Sequence, residues 1–332
     1  ISSTFNKKRT RKHRRAASCE PRDIIVHAFQ ELAEIYYSQL DNVRGDCYYE
    51  AAHIIDQLEC IPTTRKELKT VRCIGDAIAD KTIELLYTGK LAYLERLRND
   101  ESIQSKIQLL RVSGIGVKTY EQLVENGITN LQQLRDAYTS HTVSLTHAQE
   151  LGLMHYDDLQ RRIPRKETRE LETYLQKWCV KTKQKSIFPY PRVWFVGSYR
   201  RGSPHSGDID ILLYQTTIDE CIDHIQKHKT MQIVGFITRG KEKASFLLRI
   251  QKYVRRIDLL VTTAESFVPA LVYFTGSKFF NIRMRQNAKE QGYVLNEHGL
   301  CPVGKGSDCV VLDSEEELFG KLAMAFVEVE KR

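Results

Sequence analysis

The sequence predicts a multidomain α and β protein: all-α modules come first, an α+β module follows, and a small α+β piece closes the chain. Three observations carry this. Apolar residues recur at three- and four-residue steps from Asp23 to about Tyr138. Arg162-Ile163-Pro164-Arg165 then marks a break, because proline drives the residue before it out of helical backbone. Beyond it lie short apolar runs of strand type.

At 332 residues the chain has room for two or three compact modules. It contains no run of about 18 uncharged apolar residues, so no membrane-spanning helix is expected and a soluble chain is. The net charge is +8, and Lys7, Lys8, Arg9, Arg11, Lys12, Arg14 and Arg15, in an acid-free segment, supply all but one unit of it. The remaining body is nearly balanced, so any affinity for a polyanion must come from local patches. The tail, residues 1–19, reads as a nuclear import signal, part of a mitochondrial presequence or a disordered DNA-binding arm, and nucleus or mitochondrion is the expected location. A segment of this composition cannot bury a core and is expected to be disordered. The chain begins at Ile1 rather than Met, which leaves room for an upstream piece.

Eight cysteines stand at positions 19, 47, 60, 73, 179, 221, 301 and 309, with no Cys-x-x-Cys pair and no His in zinc-ligand spacing. Neither a zinc site nor a disulfide framework is expected; reduced thiols in an intracellular compartment are.

In the helical part, stripes such as Ile24, Ala28, Leu32, Ile35 and Ala51, Ile54, Ile55, Leu58 mark buried faces. Two stretches resemble each other: Val71-Arg72-Cys73-Ile74-Gly75 and Val112-Ser113-Gly114-Ile115-Gly116, each placing a short Ile-Gly turn before a new helix. One such turn fits any pair of packed helices. Two copies upstream of an acid cluster resemble the helix-hairpin-helix, whose Gly-rich turn lets backbone N–H groups approach a DNA phosphate. Such contacts read backbone, not sequence.

After a helix over Glu167–Val180, strands are expected at Val193–Val196, Ile209–Leu213, Phe246–Ile250 and Arg256–Val261. A third piece begins near Ser266 and runs through Tyr273-Phe274-Thr275-Gly276-Ser277. Within Gly207-Asp208-Ile209-Asp210 the two acids project to one side of a strand while Ile209 and Ile211 point into the core. Adjacent carboxylates repel, and a divalent cation relieves the repulsion; Mg²⁺ prefers carboxylate, water and phosphate oxygens. Asp258 interrupts a second apolar set, Ile257, Leu259 and Val261. Three acids on neighbouring strands suit a two-metal site, one ion activating an attacking hydroxyl and the other holding a triphosphate and leaving group. A lone Asp-x-Asp is better read as a strand-end turn or surface face. Gly197-Ser198-Tyr199-Arg200-Arg201-Gly202, just upstream, adds a tight turn, a hydroxyl and guanidinium groups that pair with phosphate.

From about residue 20 the chain resembles the family X DNA polymerases. Gly197-Ser198-x-Arg200-Arg201-Gly202, Gly207-Asp208-x-Asp210, Arg255-Arg256-Ile257-Asp258 and Tyr273-Phe274-Thr275-Gly276-Ser277 occur in that family's order and spacing. The resemblance implies a lyase domain over 20–96, a helix-hairpin-helix subdomain over 97–160, a nucleotidyltransferase palm over 161–265 and a nucleotide-selecting subdomain over 266–332. It implies that Asp208 and Asp210 bind both metals and that Asp258 acts at the primer 3′-hydroxyl with Arg256 beside it. Arg162, Gly197, Ser198, Arg201 and Gly207 would contact the triphosphate. Tyr273, Phe274 and Gly276 would lie against the sugar, and Asn281 and Arg285 would touch the incoming base pair or template. Two Mg²⁺ are implied, with Mn²⁺ able to substitute. Na⁺ or K⁺ would sit on backbone carbonyls of Lys69, Val71 and Ile74, and of Leu110, Val112 and Ile115.

By the same likeness Lys81 matches the lyase nucleophile. On a helix from Ala77 it lies at the edge of the stripe Ile78, Thr82, Leu85, so partial desolvation is expected to lower its pKa. Arg44, Tyr48 and Lys69 would hold the 5′-phosphate. Ala77 and Val43 depart from the family pattern, which has a lysine and a histidine there. Lys278 replaces an acid beside the nascent base, where a cation should strengthen triphosphate or template contact while loosening selectivity. The implied activity is gap-filling, template-directed DNA synthesis in base excision repair, with 5′-deoxyribose-phosphate lyase activity. Gapped or nicked duplex DNA and dNTPs are the expected partners of a monomer, repair proteins are conceivable but not identifiable, and no exonuclease module fits. Two alternatives stand: a template-independent nucleotidyltransferase, which shares the Gly-Ser and Asp-x-Asp elements, and a non-catalytic DNA-repair scaffold, which predicts a damaged acid triad.

Overall fold

The computed structural model describes residues 21–181, 193–304 and 308–332, so the basic tail and Cys19 lie outside the described residues. The chain divides into two compact units, Ile1–Gln104 and Ser105–Arg332. No helix of the described residues is long and apolar enough to cross a membrane.

The first unit is helical: α1 (Pro21–Ser38), α2 (Asn42–Gln57), α3 (Arg65–Leu68), α4 (Asp76–Thr88) and α5 (Ala92–Arg98). The buried stripe of α1 runs Ile25, Phe29, Leu32 and Tyr36, which places Ile24 at its margin rather than within it. Asp41 caps α2 by accepting the Arg44 N–H at 2.9 Å, satisfying one orphan donor of the first turn. The turn from α3 to α4 buries Ile74 and ends at Gly75, which caps α4 without a side-chain hydrogen bond. Gly89, with φ 68°, stops α4 in left-handed backbone that costs glycine little.

The second unit takes in most of α6 (Glu101–Leu110), then α7 (Val117–Glu125), α8 (Leu131–Thr139), α9 (His147–Met154) and α10 (Tyr156–Leu159), around Leu109, Val112, Ile115, Leu134 and Leu153. Its turn repeats the first one closely. Gly116 caps α7 without a side-chain bond, as Gly75 does for α4. The carbonyls of Val71 and Val112 accept from Ile74 and Ile115 at 3.2 and 3.0 Å. Cys73 (φ 62°) occupies the left-handed position that Gly114 (φ 84°) fills in the second copy.

The α+β part follows: β1 (Ile163–Pro164), α11 (Arg165–Lys181), β2 (Val193–Phe195), α12 (Gly197–Arg200), β3 (His205–Ser206), β4 (Ile209–Tyr214), α13 (Ile218–Gln226), β5 (Met231–Arg239), β6 (Lys243–Ile250) and β7 (Tyr253–Thr262). Then come α14 (Phe267–Thr275), α15 (Lys278–Glu290), β8 (Tyr293–Asn296), β9 (Gly299–Pro302) and α16 (Glu315–Lys321). Five strands form a sheet in the order β2-β4-β7-β6-β5, with β4 and β7 parallel and the other pairs antiparallel. Ile209, Ile211, Phe246 and Leu259 pack against α11 and α13. Leu212, Tyr214 and Leu260 face the opposite core, built by α14, α15 and α16. The sheet is thus covered by helices on both faces.

Several elements are absent from the sequence reading, helix α13 and strand β5 among them. Helix α13 is marked by Ile218, Cys221, Ile222 and Ile225 at helical spacing and by its Thr217/Glu220 capping box, both halves of which form. In β5, two register shifts and Gly235, where a Cβ would collide with Leu151, blur the alternation. The cysteine expectation needs correction as well: Cys301 and Cys309 form a disulfide, with Cα atoms 4.0 Å apart. The chain folds back so that Val310 bridges Leu300 in antiparallel fashion, and the next residues, 301 and 309, therefore come face to face. Spacing alone carries no sign of that. The remaining described cysteines, 47, 60, 73, 179 and 221, are free thiols.

A Cβ on Gly114 would sit 3.1 Å from Gln149 Cγ and 3.3 Å from its amide nitrogen, on top of the left-handed φ. Gly114→Ala is therefore expected to destabilise the second unit by about 2 kcal/mol, read as a lowered urea midpoint with unchanged m-value.

Candidate active site

The chemistry-bearing acids meet because β4 and β7 run parallel in one register. That register sets Asp210 directly beside Asp258, about one strand spacing away, and Asp208 precedes β4 on the same face. One carboxylate oxygen from each of the three lies within 4.8 Å of the others. Asp258 is buried, accepts a hydrogen bond from Ser245 Oγ across the β6–β7 pair, and pairs with Arg256 at 3.0 Å. Ser245 is a site neighbour that the sequence reading missed; its only signal is a hydroxyl inside the apolar run of β6.

Burial, then repulsion from Asp208 and Asp258, pushes the Asp210 carboxyl up to about 7. Burial and Asp258 push Asp208 up too, against the pull of Arg256 and Arg162. Buried, crowded, mutually repelling carboxylates are the donor set a hard divalent cation relieves, and the triad can hold such a metal.

Helix α12 sits against this cluster. The Val196 N–H bonds to the Asp210 carbonyl at 2.9 Å, and Gly197 follows with φ 60°. A Cβ there would strike Asp210 Oδ2, so both backbone and space require glycine. Ser198 Oγ donates to Ser206 Oγ at 3.0 Å. Arg162 lies against Gly207, its Nη1 3.5 Å from where a Cβ would stand, and donates to His205 O at 3.3 Å. Arg201 donates to Thr275 O at 2.5 Å and lies 3.1 Å from the place of a Gly276 Cβ. Arg200, which the sequence offered as a second phosphate group, is engaged elsewhere: it bonds Thr275 Oγ1 at 2.8 Å and forms a bidentate pair with Glu315.

Asn281 donates to Tyr273 O at 2.6 Å, and the Arg285 guanidinium stands 5.7 Å from the centre of the Tyr273 ring. The structure thus brings Tyr273, Gly276, Asn281 and Arg285 to one side of α14 and α15, with Arg201 at Gly276. Phe274 packs against the core under α14 and contacts Tyr273 edge-on at 5.1 Å.

In the first unit, Lys81 Nζ lies 3.4 Å from Ala77 O and 5.7 Å from the centre of the buried Tyr48 ring. Arg44 pairs with Asp41 at 2.5 Å and stacks over Tyr36 at 4.8 Å. Lys69 pairs with Asp76 at 2.9 Å.

Comparison with known proteins agrees with this geometry segment by segment. Residues 20–91 match the family described as helix-hairpin-helix domain, 107–160 the fingers domain of DNA polymerase lambda, 162–264 the DNA polymerase beta palm and 270–332 the DNA polymerase beta thumb. A palm carrying an intact acid triad, between fingers and thumb matches in that order, defines the class, and the chain belongs to the family X DNA polymerases. Its relatives include a DNA polymerase lambda of Arabidopsis thaliana (29% identical, 93% of this chain, 61% of the relative) and one of Rattus norvegicus (28%, 83%, 48%). A DNA nucleotidylexotransferase of Gallus gallus is 24% identical over 92% of this chain and 66% of the relative. The chain spans about half to two thirds of the length of these relatives.

The folded protein keeps the Asp210 proton up to about pH 7, whereas the unfolded chain releases it near 3.8. Without divalent cation, stability should therefore be greatest below pH 4 as far as this group is concerned and fall as pH rises through 7. In a chelator, Asp210→Asn is expected to raise the melting temperature at pH 7.5 by several degrees and to flatten its decline between pH 5.5 and 7.5. Melting curves at both pH values check this.

Proposed function

We propose that this chain is a template-directed DNA polymerase filling short gaps in base excision repair, with 5′-deoxyribose-phosphate lyase activity in its first unit. The observation that carries the polymerase reading is the parallel register of Asp210 with Asp258 beside the Gly197 turn. Two Mg²⁺ ions, or Mn²⁺, held by Asp208, Asp210 and Asp258, would supply charge neutralisation and an activated primer 3′-hydroxyl. The chain's own residues do the rest. Ser198, Arg201 and Arg162, around Gly197 and Gly207, orient the dNTP triphosphate, and Arg256 with Ser245 fixes Asp258 on the primer side. Tyr273, Phe274 and the Gly276 backbone press on the sugar, and Asn281 and Arg285 follow the base pair and template.

For DNA, the support lies in the two glycine-capped turns. Because no side chain caps α4 or α7, their first N–H groups are open to phosphate oxygens. Na⁺ or K⁺ on the carbonyls of Lys69, Val71 and Ile74, and of Leu110, Val112 and Ile115, would complete each turn. In the first unit Lys81 is the amine that forms the Schiff base, with Arg44, Tyr48 and Lys69 toward the 5′-phosphate. Lys278 is the exposed first residue of α15, where a cation opposes the helix dipole, so its use is better sought in an anionic ligand.

Activity is expected to be higher on a one-nucleotide gap with a 5′-phosphate than on an open primer-template, and Asp258→Ala to cut primer extension by about a thousandfold. A variant at near wild-type rate would refute the assignment of Asp258. Steady-state kinetics of Lys278→Asp should show KM for dNTP raised by about threefold with kcat little changed. A second reading, template-independent nucleotide addition, is favoured by the likeness to the nucleotidylexotransferase; efficient extension of a single-stranded primer without template would select it.

A further inference from the structure

Beside Lys81 stands a frame of three tyrosines. Tyr36 stacks on Tyr48 with ring centres 5.4 Å apart and planes 3° from parallel, and its hydroxyl lies 3.2 Å from that of Tyr93. Tyr36 and Tyr48 are buried, and Tyr93, on α5, is half-buried. Burial and then the Tyr93 contact push the Tyr36 hydroxyl well above its usual range, so it stays protonated and the two hydroxyls share one hydrogen bond. The Lys81 ammonium lies 5.7 Å from the Tyr48 ring centre and 5.6 Å from that of Tyr93. Both distances fall within the roughly 6 Å over which a ring face attracts a cation. Tyr48 is fixed by its stack and Tyr93 by its hydroxyl contact, and both are fixed through the same residue, Tyr36.

We propose that Tyr93 is a positioning residue for the lyase step, its ring face holding the Lys81 nitrogen, as ammonium before the reaction and as iminium within it, against Tyr48. The inference rests on the reading of Lys81 as the lyase nucleophile. In that step the Lys81 amine adds to the C1′ aldehyde of the ring-opened sugar, and the carbinolamine takes up a proton from solvent and loses water to give an iminium. Loss of a C2′ proton to solvent base then sends an electron pair toward C3′ and breaks the C3′–O bond, releasing a 5′-phosphorylated DNA end. Hydrolysis of the remaining imine restores the amine. Positive charge returns to the nitrogen at the iminium, which is the stage a π face stabilises. Tyr93 acts on the nitrogen through its ring face, whose centre lies 5.6 Å away, so the ring and not the hydroxyl is what the step requires of it; the hydroxyl serves to hold the ring through Tyr36.

The test is borohydride trapping on gapped duplex carrying a 5′-deoxyribose phosphate, using the full chain at saturating DNA, with Kd measured separately on the same duplex bearing a plain 5′-phosphate. Tyr93→Leu keeps apolar bulk but removes the π face, and should slow trapping by about fivefold to thirtyfold at unchanged Kd. Tyr93→Phe keeps the face and should recover most of the rate. Trapping by Tyr93→Leu at the wild-type rate, a loss in Tyr93→Phe as large as in Tyr93→Leu, or a Kd that weakens in proportion to the rate overturns the positioning role. A wild-type chain that forms no adduct, or a Lys81→Ala variant that still forms it, removes the lyase reading itself and the inference with it.

Discussion

Everything at the acid cluster depends on β4 and β7 lying parallel and in register, since that pairing alone sets Asp210 against Asp258. A parallel neighbour is reached only by a long crossover, here through α13, β5 and β6. The arrangement opposes folding, because burial and repulsion drive two of the carboxyls toward protonation. Apolar residues of the same strands, Ile209, Ile211, Ile257 and Leu259, are buried on the opposite face and hold the register in spite of the charges. A one-residue slip would send those four to the acid face and the acids into the core, so the register is strongly specified.

The two hairpin turns show a different economy. Each ends in a glycine at a helix start, so the helix leaves its own donors unsatisfied by side chains. The copies differ at the left-handed position, where Cys73 accepts a conformation that Gly114 occupies without a Cβ. The repeated motif therefore tolerates a side chain in one copy. In the other, Gln149 of α9, whose amide also donates to Gly114 O, leaves no room for one.

Much of this was legible in the sequence, for identifiable reasons. The helical stripes, the break at Pro164, four of the five strands of the main sheet and the acid triad rest on periodicity and on charged residues interrupting apolar runs, both local signals. What was not legible is long-range. Strand β5 is irregular. Ser245 matters only because β6 lies beside β7. The Cys301–Cys309 pair forms only when a loop folds back. Arg200 and Arg201 are indistinguishable as letters, yet only the fold reveals that Arg200 turns to Glu315, 115 residues away. Tyr36 and Tyr93 gave no sign in isolation, because a tyrosine in a helix stripe reads as core.

Glu315 has a further consequence. Burial would raise its carboxyl, but hydrogen bonds from Arg200 and Arg332 outweigh that and hold it below the usual range. Arg332 is itself fully enclosed, against the rings of Phe280, Phe319 and Phe326. Thr275, the last residue of α14, takes Arg200 on its hydroxyl and Arg201 on its carbonyl. Two successive residues of the Gly197 turn are thus bolted to the C-terminal helices, Arg201 through a helix-end carbonyl and Arg200 through a buried charge that is costly to strand. The C-terminal helices and the Gly197 turn are geared together: a shift of α14 or α16 relative to the turn would have to break the Thr275 bonds or strand Glu315.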